Sequence, residues 1–580
     1  MLKRLLAEVK EFKWVSILTP VCMIGEVIAE MVIPRLMARI VDDGINAHNM
    51  QVIISTGAVM IVVALIALLF GVLGGFFGAK ASAGFARNLR KAMFDNIQTF
   101  SFANIDKFST SGLVTRLTTD VTNIQNAYQM ILRMAMRAPS SMIIAMVLSF
   151  TISARLSTIY LVAVIFLIFV AVFLMRRVTK YFRQVFEKYD ALNESVQENV
   201  RAIRVVKAFV REDYEVSKFQ KAAENIYQMF VKAEKNMTVV MPVMMGTVYT
   251  CILLISYFGA RMIVSNALST GDLMSLLTYC MNILMSLMMV SMVIVMITMS
   301  QASAKRIVEV MEEKSAITNP ADPVYEVKDG SISFQKVSFS YHEGSEEHVL
   351  KEIDLEIASG QAIGIIGATG SAKTSLVNMI SRLYDVSEGA VYVGGRDVRA
   401  YDLTTLRDAV SVGLQKNVLF SGTIYENLRW GDKNATEEAC REAARLACAD
   451  EFITQFPKGY ETKIEQGGTN VSGGQKQRLC IARALLKKPK ILILDDSTSA
   501  VDTATDARIR QAFKEKIPDT TKLIIAQRIA SVMDLDKIIV MDDGRVNGFG
   551  THAELMENNE IYRELYESQT SGARDFDEAS

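Results

Sequence analysis

The chain has 580 residues, half of them hydrophobic, with a mean hydropathy of +0.23 and a formal net charge of zero. This length is too great for a single domain. The neutral balance gives no strong attraction to nucleic acid, so we expect no nucleic-acid partner. The six cysteines form no Cys-x-x-Cys pair, so the sequence indicates neither a zinc site nor a disulfide framework.

Six apolar stretches of membrane-spanning length occupy the first half of the chain. They cover residues 15–38, 52–79, 128–153, 156–177, 237–262 and 272–300. Only Ser153, Ala154 and Arg155 separate the third stretch from the fourth, which predicts a tight turn there. The sequence therefore predicts an α-helical six-span membrane domain over residues 1–310, embedded in a lipid membrane.

The segments between these stretches predict their orientation. The long segments 80–137 and 176–236 are rich in lysine and arginine, whereas the short loops 41–51 and 264–272 contain neither. Because positive charge concentrates on the cytoplasmic side, we expect both termini and both long segments in the cytoplasm. The long segments keep helical patterns, so their helices should continue beyond the bilayer. These charges predict a multi-pass protein of a cytoplasmic membrane.

Two features of the predicted spans are candidates for substrate contact. Glu26 and Glu30 share one helical face of the first span, and an ionised group near mid-membrane is unfavourable by about 3 kcal/mol. We expect them to contact either a cationic amphipathic substrate or a neighbouring helix. Met285 and Met292 belong to a methionine stripe on the sixth span. Such a flexible surface suits small amphipathic substrates of varied shape, although ordinary packing also produces it.

The second half of the chain carries a phosphate-binding pattern. We predict a linker over residues 311–327, an α/β P-loop NTPase domain over 328–570 and a disordered acidic tail over 571–580. A buried strand at 362–366 precedes a loop with Walker A spacing, and a helix follows. The predicted loop and the first helical residue are Gly367, Ala368, Thr369, Gly370, Ser371, Ala372, Lys373, Thr374 and Ser375.

Three predictions follow for ATP and Mg²⁺ at this loop. Lys373 should reach the β- and γ-phosphates, and Thr374 should bind Mg²⁺. Ala372 stands where the strict pattern has glycine, which adds a Cβ close to the phosphates. Asp495 ends the apolar strand 491–495, a position from which a carboxylate binds Mg²⁺ directly or through water.

A second phosphate-binding pattern precedes the helix expected at 476–487. It consists of Ser472, Gly473, Gly474 and Gln475. Serine is a good N-cap, and the two glycines leave backbone N–H groups exposed at the positive end of the helix. One chain rarely needs two such patterns for one nucleotide, so the second is expected to serve the nucleotide of another chain.

These motifs, placed in this order after six spans, resemble an ABC transporter half of the multidrug-exporter family, in which a membrane domain precedes the ABC ATPase domain. The resemblance implies that Tyr341 stacks on adenine and that Gln415 is the Q-loop glutamine near Mg²⁺. It also implies that Asp502 belongs to the D-loop. Coupling helices are expected near residues 107–112 and 211–219, the latter docking on a partner chain.

The chain departs from the family pattern at two hydrolytic positions. Asp496 replaces the glutamate that serves as the catalytic base, and Gln527 replaces the switch histidine. Aspartate is one methylene shorter, and glutamine cannot become a cation. Since ABC sites form between chains, the resemblance implies a heterodimer with a second half-transporter, in which this chain carries the degenerate site and supplies an intact signature.

Several alternatives stay open at this stage. A slow homodimeric exporter and an ATP-regulated membrane protein that does not pump both fit the degenerate residues. A soluble ATP clamp of the DNA-maintenance type shares the signature, but the six spans and neutral charge oppose it. An importer built on the exporter fold is also compatible with the sequence.

Overall fold

The computed structural model describes the chain at residues 1–341 and 347–577, except for the side chains at 171, 174–187, 190, 191, 194, 201, 233, 236, 237, 240 and 570–577. The chain divides into two compact units. Unit 1 comprises Met1–Gln98 and Ser111–Glu313, and unit 2 comprises Thr99–Thr110 and the chain from Lys314 onward. The two units therefore interleave along the sequence, because a short segment within the helical half belongs to unit 2.

Long α-helices build unit 1. The helices up to residue 312 are α1 Leu2–Ala7, α2 Lys13–Arg39, α3 Met50–Ile97, α4 Phe102–Phe108, α5 Thr110–Thr115, α6 Val121–Ile152, α7 Ala154–Arg201, α8 Ile203–Ala208, α9 Glu212–Thr238, α10 Val240–Val264 and α11 Thr270–Glu312. Side-chain caps start two of the longest: Asn49 accepts from the N–H groups at the start of α3, and Ser269 accepts from Asp272 N at the start of α11.

Five helical segments among the described residues are long and apolar enough to cross a membrane: Lys10–Ile45, Met50–Ile97, Thr110–Ile152, Met241–Val264 and Thr270–Glu312. They contain the predicted spans 15–38, 52–79 and 272–300 whole, and they overlap most of 128–153 and 237–262. The remaining predicted span, 156–177, lies in α7, where the described apolar part Ala154–Val170 is shorter. Part of that span lies outside the described side chains. The predicted tight turn before it is confirmed, since Ser153 alone separates α6 from α7.

The core of unit 1 forms where α2, α7 and α11 carry buried aromatic and aliphatic side chains. Tyr160, Tyr279 and Ile283 are fully buried in one cluster together with Met31. The hydroxyl of Tyr279 donates to the backbone oxygen of Met31 at 2.8 Å. A tyrosine buried in an apolar core needs such a partner for its hydroxyl, and here this bond joins α11 to α2.

Unit 2 is an α/β domain with two main sheets. Its strands are β1 Ile332–Phe339, β2 Leu350–Ile357, β3 Ala362–Gly367, β4 Glu388–Val393, β5 Arg396–Asp397, β6 Val410–Gly413, β7 Gly422–Thr423, β8 Lys463–Ile464, β9 Ile491–Asp495, β10 Thr521–Ile525, β11 Lys537–Asp542 and β12 Arg545–Gly550. The helices that follow α11 are α12 Lys373–Ile380, α13 Leu403–Ala409, α14 Ile424–Leu428, α15 Glu437–Leu446, α16 Asp450–Ile453, α17 Gly473–Leu486, α18 Thr503–Lys516, α19 His552–Asn558 and α20 Glu560–Asp577.

The larger sheet positions the candidate site. Its order is β12-β11-β3-β10-β9-β6, and β11, β3, β10, β9 and β6 run parallel. The strands β9 and β10 are buried along their whole length, as expected for parallel strands covered on both faces. The smaller sheet, β2-β1-β4-β5, is antiparallel.

The structure differs from the predicted domain boundaries in three places. The predicted linker 311–327 joins unit 2 from Lys314, because Val324 forms a β-bridge with Tyr401. The segment Thr99–Thr110, predicted to belong to the membrane domain, is also part of unit 2. The predicted disordered tail is helical at residues 571–577, since α20 continues to Asp577 without an interrupting proline. Residues 578–580 lie outside the described part of the chain.

Candidate functional site

Four functional segments follow four neighbouring parallel strands of the larger sheet. The P-loop follows β3, the switch position follows β10, Asp495 ends β9 with Asp496 directly after it, and the Q-loop follows β6. Because the carboxyl ends of parallel strands meet at one edge, segments far apart in sequence form one site there. The strand–loop–helix context predicted for the P-loop is present, with α12 starting at Lys373, two residues earlier than the predicted helix.

Ala372 adopts the left-handed backbone conformation, with φ 70° and ψ 23°, directly before α12. This conformation explains why the strict pattern has glycine here, since a Cβ is strained in it. The backbone of the loop thus keeps its curvature despite the alanine. The loop glycines Gly367 and Gly370 also have positive φ, and a Cβ at Gly367 would approach Met541 O to 2.2 Å.

The Lys373 ammonium lies over the loop that it closes. Its Nζ donates to the backbone oxygens of Gly367 at 2.9 Å and Ala368 at 2.8 Å. Burial lowers the pKa of Lys373, while the carboxylates of Asp495 and Asp496 oppose that effect. The ammonium is therefore bonded to the loop and lies within the electrostatic influence of the two aspartates. Phosphate oxygens of a nucleotide would replace the loop carbonyls as its acceptors.

Thr374 and Asp495 form a pair of oxygen ligands suited to Mg²⁺. The hydroxyl of Thr374 donates to Asp495 Oδ2 at 2.8 Å, and Asp495 is buried at the end of β9. Burial raises the pKa of Asp495, and the neighbouring Asp496 carboxylate adds to the effect. A divalent cation stabilises the charged form of such a carboxylate. The two residues thus fit the predicted magnesium site, with the remaining ligands expected from phosphate and water.

The two residues that depart from the family pattern contact each other. The side-chain amide of Gln527 donates to Asp496 Oδ2 at 2.8 Å. Asp496 has a left-handed φ of 49°, and its N–H donates to Ile525 O. Burial raises the pKa of Asp496, although the hydrogen bond from Gln527 opposes the shift. The structure thereby brings together the two predicted degenerate residues beside the P-loop lysine.

Tyr341 lies just past the end of β1 and contacts the start of α12. Its hydroxyl and Ser375 Oγ are 2.8 Å apart, and its ring meets the ring of Tyr384 edge-on at 5.2 Å. The Tyr384 hydroxyl donates to Asp106 Oδ2 at 2.6 Å, and Asp106 lies in α4, which overlaps the first predicted coupling segment. Sequence reasoning missed Tyr384, because nothing local marks a tyrosine that joins α4 to the Tyr341 ring.

Gln415 is exposed after β6, in line with a Q-loop position. Ser497, two residues beyond Asp495, donates to Gly413 O at 3.0 Å and so ties the Q-loop strand to the end of β9. Asp502 accepts from Thr505 N at 2.9 Å and caps α18, and this bond lowers the pKa of Asp502. The D-loop assignment of Asp502 stays a prediction.

The signature sequence begins α17 as predicted. Ser472 and Gln475 form a reciprocal capping box, in which Ser472 Oγ accepts from Gln475 N and Gln475 Oε1 accepts from Ser472 N. Gly473 is exposed beside them, and a Cβ at Gly474 would approach Ala500 O to 2.7 Å. The positive end of this helix is therefore intact and accessible to an anion.

The membrane-domain candidates have two different environments. Arg137 of α6 pairs with Glu26 Oε1 at 2.5 Å and with Glu30 Oε2 at 2.9 Å. This ion pair is the helix contact that the sequence left as an alternative to substrate binding, and Arg137 was not predicted as its donor. Met285 and Met292 are exposed on α11, on the side opposite its buried residues.

The comparisons with known proteins agree with this architecture. Residues 16–288 match the family model described as the ABC transporter transmembrane region, and residues 350–499 match the model described as ABC transporter. The chain is 36% identical over 568 residues to an uncharacterized ABC transporter ATP-binding protein of Bacillus subtilis (strain 168), YfiB, covering 98% of both chains. It is 34% identical over 551 residues to another such protein of Mycobacterium tuberculosis (strain CDC 1551 / Oshkosh), covering 94% of both.

A solved structure shares the fold along the whole chain. It is described as a bacterial Atm1-family ABC exporter with ATP bound, and it matches with a TM-score of 0.79, 23% identity and 98% coverage of both chains. This likeness shows that the chain has the fold of that exporter, a helical transmembrane domain with an ABC ATPase domain.

Proposed function

Because the chain belongs to the ABC transporter family, we propose that it is the degenerate-site half of a heterodimeric exporter. In this proposal ATP drives the export of small hydrophobic or amphipathic molecules across the bacterial cytoplasmic membrane. The observation that carries the proposal is the 2.8 Å contact between Gln527 and Asp496. Both residues that depart from the family's hydrolytic pair lie together, at the strand ends where a γ-phosphate and its attacking water are expected.

The contact provides a physical reason for slow hydrolysis at this chain's own site. Asp496 is one methylene shorter than glutamate, and a misplacement of about 1 Å lowers a catalytic rate on the order of 10²-fold. One oxygen of its carboxylate already accepts a hydrogen bond from Gln527, which competes with an attacking water. Gln527 itself stays neutral, so it cannot offer a positive charge to the transition state.

Nucleotide binding is retained in the same proposal. Lys373, Thr374 and Asp495 have the contacts that a P-loop needs, and Ala372 preserves the left-handed loop backbone. ATP with Mg²⁺ would be held by these residues, with its adenine ring on Tyr341. The site is therefore suited to holding ATP through many turnovers of a faster site.

The signature of this chain is proposed to complete that faster site on the partner. Its capped helix end and exposed Gly473 present free backbone N–H groups to a nucleotide bound by another chain. We expect the partner to carry glutamate and histidine at the positions of Asp496 and Gln527. Aspartate and glutamine in the partner as well would leave two slow sites and would favour the homodimeric alternative.

Two exposed apolar surfaces support a partner of the same architecture. Phe209 and Val210, at the turn between α8 and α9, are 73% and 80% exposed. In unit 2, Phe420 and Trp430 stack at 4.1 Å and are also exposed. Contiguous exposed apolar side chains mark interaction surfaces, and Phe209 and Val210 directly precede the segment 211–219, which is expected to dock on the partner.

The proposed orientation and substrate class rest on the membrane half. In this proposal both termini are cytoplasmic, because the long segments 80–137 and 176–236 are rich in lysine and arginine. The exposed Met285 and Met292 offer an adaptable thioether surface for amphipathic molecules. The pairing of Glu26 and Glu30 with Arg137 leaves a net charge of −1 in this cluster, which tolerates a cationic substrate but does not require one.

The test restores both hydrolytic positions in the assembled transporter. The chain is co-expressed with the half-transporter encoded beside it, with and without Asp496→Glu plus Gln527→His, and ATPase activity is measured together with ATP-dependent uptake into inverted vesicles. In a complex whose partner site is inactivated at its expected glutamate, the remaining ATPase belongs to this chain's site, and the double substitution should raise it about tenfold or more, given the loss attributed to misplacement. An unchanged ATPase would refute the degenerate-site assignment. Uptake without ATP dependence would instead favour a membrane protein that is regulated by ATP and does not pump.

A further inference from the structure

The switch segment is the stretch of main chain that carries Gln527, between β10 and the short turn Ile529–Ser531. Gln527 and Arg528 are exposed, whereas Ile529 is buried. The Gln527 side chain reaches Asp496 only if this main chain stays in place. Any group that fixes the segment therefore also fixes the contact beside the γ-phosphate position.

The last helix supplies such a group. Gln569 of α20 donates from Nε2 to Gln527 O at 2.9 Å and accepts at Oε1 from Ile529 N at 2.9 Å. A single planar amide thus satisfies one donor and one acceptor on the two sides of Arg528. These bonds fix both the position and the direction of the switch segment, because a main-chain rotation there would break at least one of them.

The helix that carries Gln569 is anchored independently of these bonds. Tyr562 of α20 is fully buried in one cluster with Ile529, Val532 and Ile366, the residue before the P-loop glycine. The Tyr562 hydroxyl also lies 2.6 Å from His552 Nδ1 of α19. Loss of the Gln569 amide should therefore leave α20 packed while releasing the switch segment.

We propose that Gln569 is a positioning residue of this chain's nucleotide site, through which the C-terminal helix holds Gln527 on Asp496. The inference rests on the proposed function only in placing Gln527 beside the γ-phosphate. Its consequence is that α20 regulates how long the site retains ATP. A partner or modification that displaces α20 would release the nucleotide faster without touching the P-loop.

The experiment measures nucleotide release from the full-length chain assembled with its partner. The complex is loaded with Mg²⁺ and a fluorescent, non-hydrolysable ATP analogue, then chased with unlabelled ATP. The release component that Lys373→Ala abolishes belongs to this chain's site. Gln569→Ala should speed that component by about three- to tenfold, the effect of losing two neutral hydrogen bonds. Gln569→Glu keeps only the acceptor for Ile529 N–H and should have an intermediate effect.

Two controls separate positioning from a general loss of structure. Gln511→Ala removes an exposed amide that bonds within α18, and it should leave release unchanged. In a Gln527→Ala background, Gln569→Ala should cause no further acceleration, because its effect passes through Gln527. An unchanged release rate in Gln569→Ala overturns the proposal, whether or not the unfolding temperature falls. So does an equal acceleration with and without Gln527.

The outcome is independent of the ATPase test for the degenerate site. If restoring Glu and His fails to raise hydrolysis, the division of labour between the two sites fails, yet a Gln569 effect on release would stand. If release is insensitive to Gln569 while hydrolysis rises as expected, only the role of the C-terminal helix is refuted.

Discussion

Ala372→Gly is expected to stabilise the ATPase unit or leave its stability unchanged, contrary to the usual effect of replacing alanine by glycine. Ala372 stands at φ 70°, a conformation that is unfavourable by about 1–2 kcal/mol for residues with a Cβ. Glycine removes that strain, while its freer unfolded chain opposes folding by about 0.4–1 kcal/mol. The net change in the free energy of unfolding is therefore between about zero and +1.6 kcal/mol.

The assay is the unfolding temperature of the detergent-solubilised, full-length chain without nucleotide. For a domain of this size, 1 kcal/mol corresponds to about 2–4 °C, so Ala372→Gly should shift the midpoint by about 0 to +6 °C. The matched control is Ala507→Gly, at an exposed position inside α18. There glycine should lower the midpoint by about 2–4 °C, since it is about 1 kcal/mol worse than alanine in a helix.

An equal drop in both variants would show that Ala372 is not held in the left-handed conformation. Ala372→Gly should also leave ATPase activity unchanged, because the loop already has the backbone that glycine would give it. A large rise in hydrolysis from this change alone would move the block from Asp496 and Gln527 to the P-loop.

Two further predictions concern charged side chains. Burial raises the pKa of Asp495, so its contribution to stability is present at low pH and falls as the pH rises from the unfolded-state pKa through the raised folded-state pKa. In Mg²⁺-free buffer, Asp495→Asn should therefore raise the unfolding temperature at pH 8 more than at pH 5, and an equal effect at both would contradict the shift. Arg137→Gln leaves Glu26 and Glu30 without their cation, which should destabilise the membrane unit by about 3 kcal/mol. Adding Glu26→Gln should recover part of the loss of unfolding temperature, and no recovery would mean that the ion pair is not the cause.

The site in unit 2 could be predicted from sequence because its signals are local. Each functional segment directly follows an apolar strand, and parallel strands bring their carboxyl ends to one edge regardless of loop length. Thr374 and Asp495 were therefore predictable as members of one magnesium site. The start of α12 was not, since the left-handed Ala372 lets the helix begin at Lys373, and propensity alone does not show such a turn.

The long-range contacts could not be predicted in the same way. Arg137 meets Glu26 across 111 residues of chain and Gln569 meets Gln527 across 42, and both contacts depend on how whole helices are rotated and packed. Neither partner carries a motif. The assignment of Thr99–Thr110 to unit 2 could not be predicted either, because the sequence of this segment continues the helical pattern of the segments around it.

The contact between Asp496 and Gln527 implies that the two substitutions act as a unit. The side-chain amide of Gln527 lies 2.8 Å from the Asp496 carboxylate. A glutamate at position 496 would place its carboxylate one methylene further from the backbone. Asp496→Glu alone would push its carboxylate against that amide, and Gln527→His alone would place a shorter-reaching ring beside a carboxylate already drawn back. The gain in ATPase from the double substitution, expressed as a free energy, should therefore exceed the sum of the gains from the two single substitutions, as expected for residues in direct contact. If the effects of the two substitutions on ATPase are strictly additive, each residue slows hydrolysis independently. The hydrogen bond between Gln527 and Asp496 would then have no role in how the site holds its ATP.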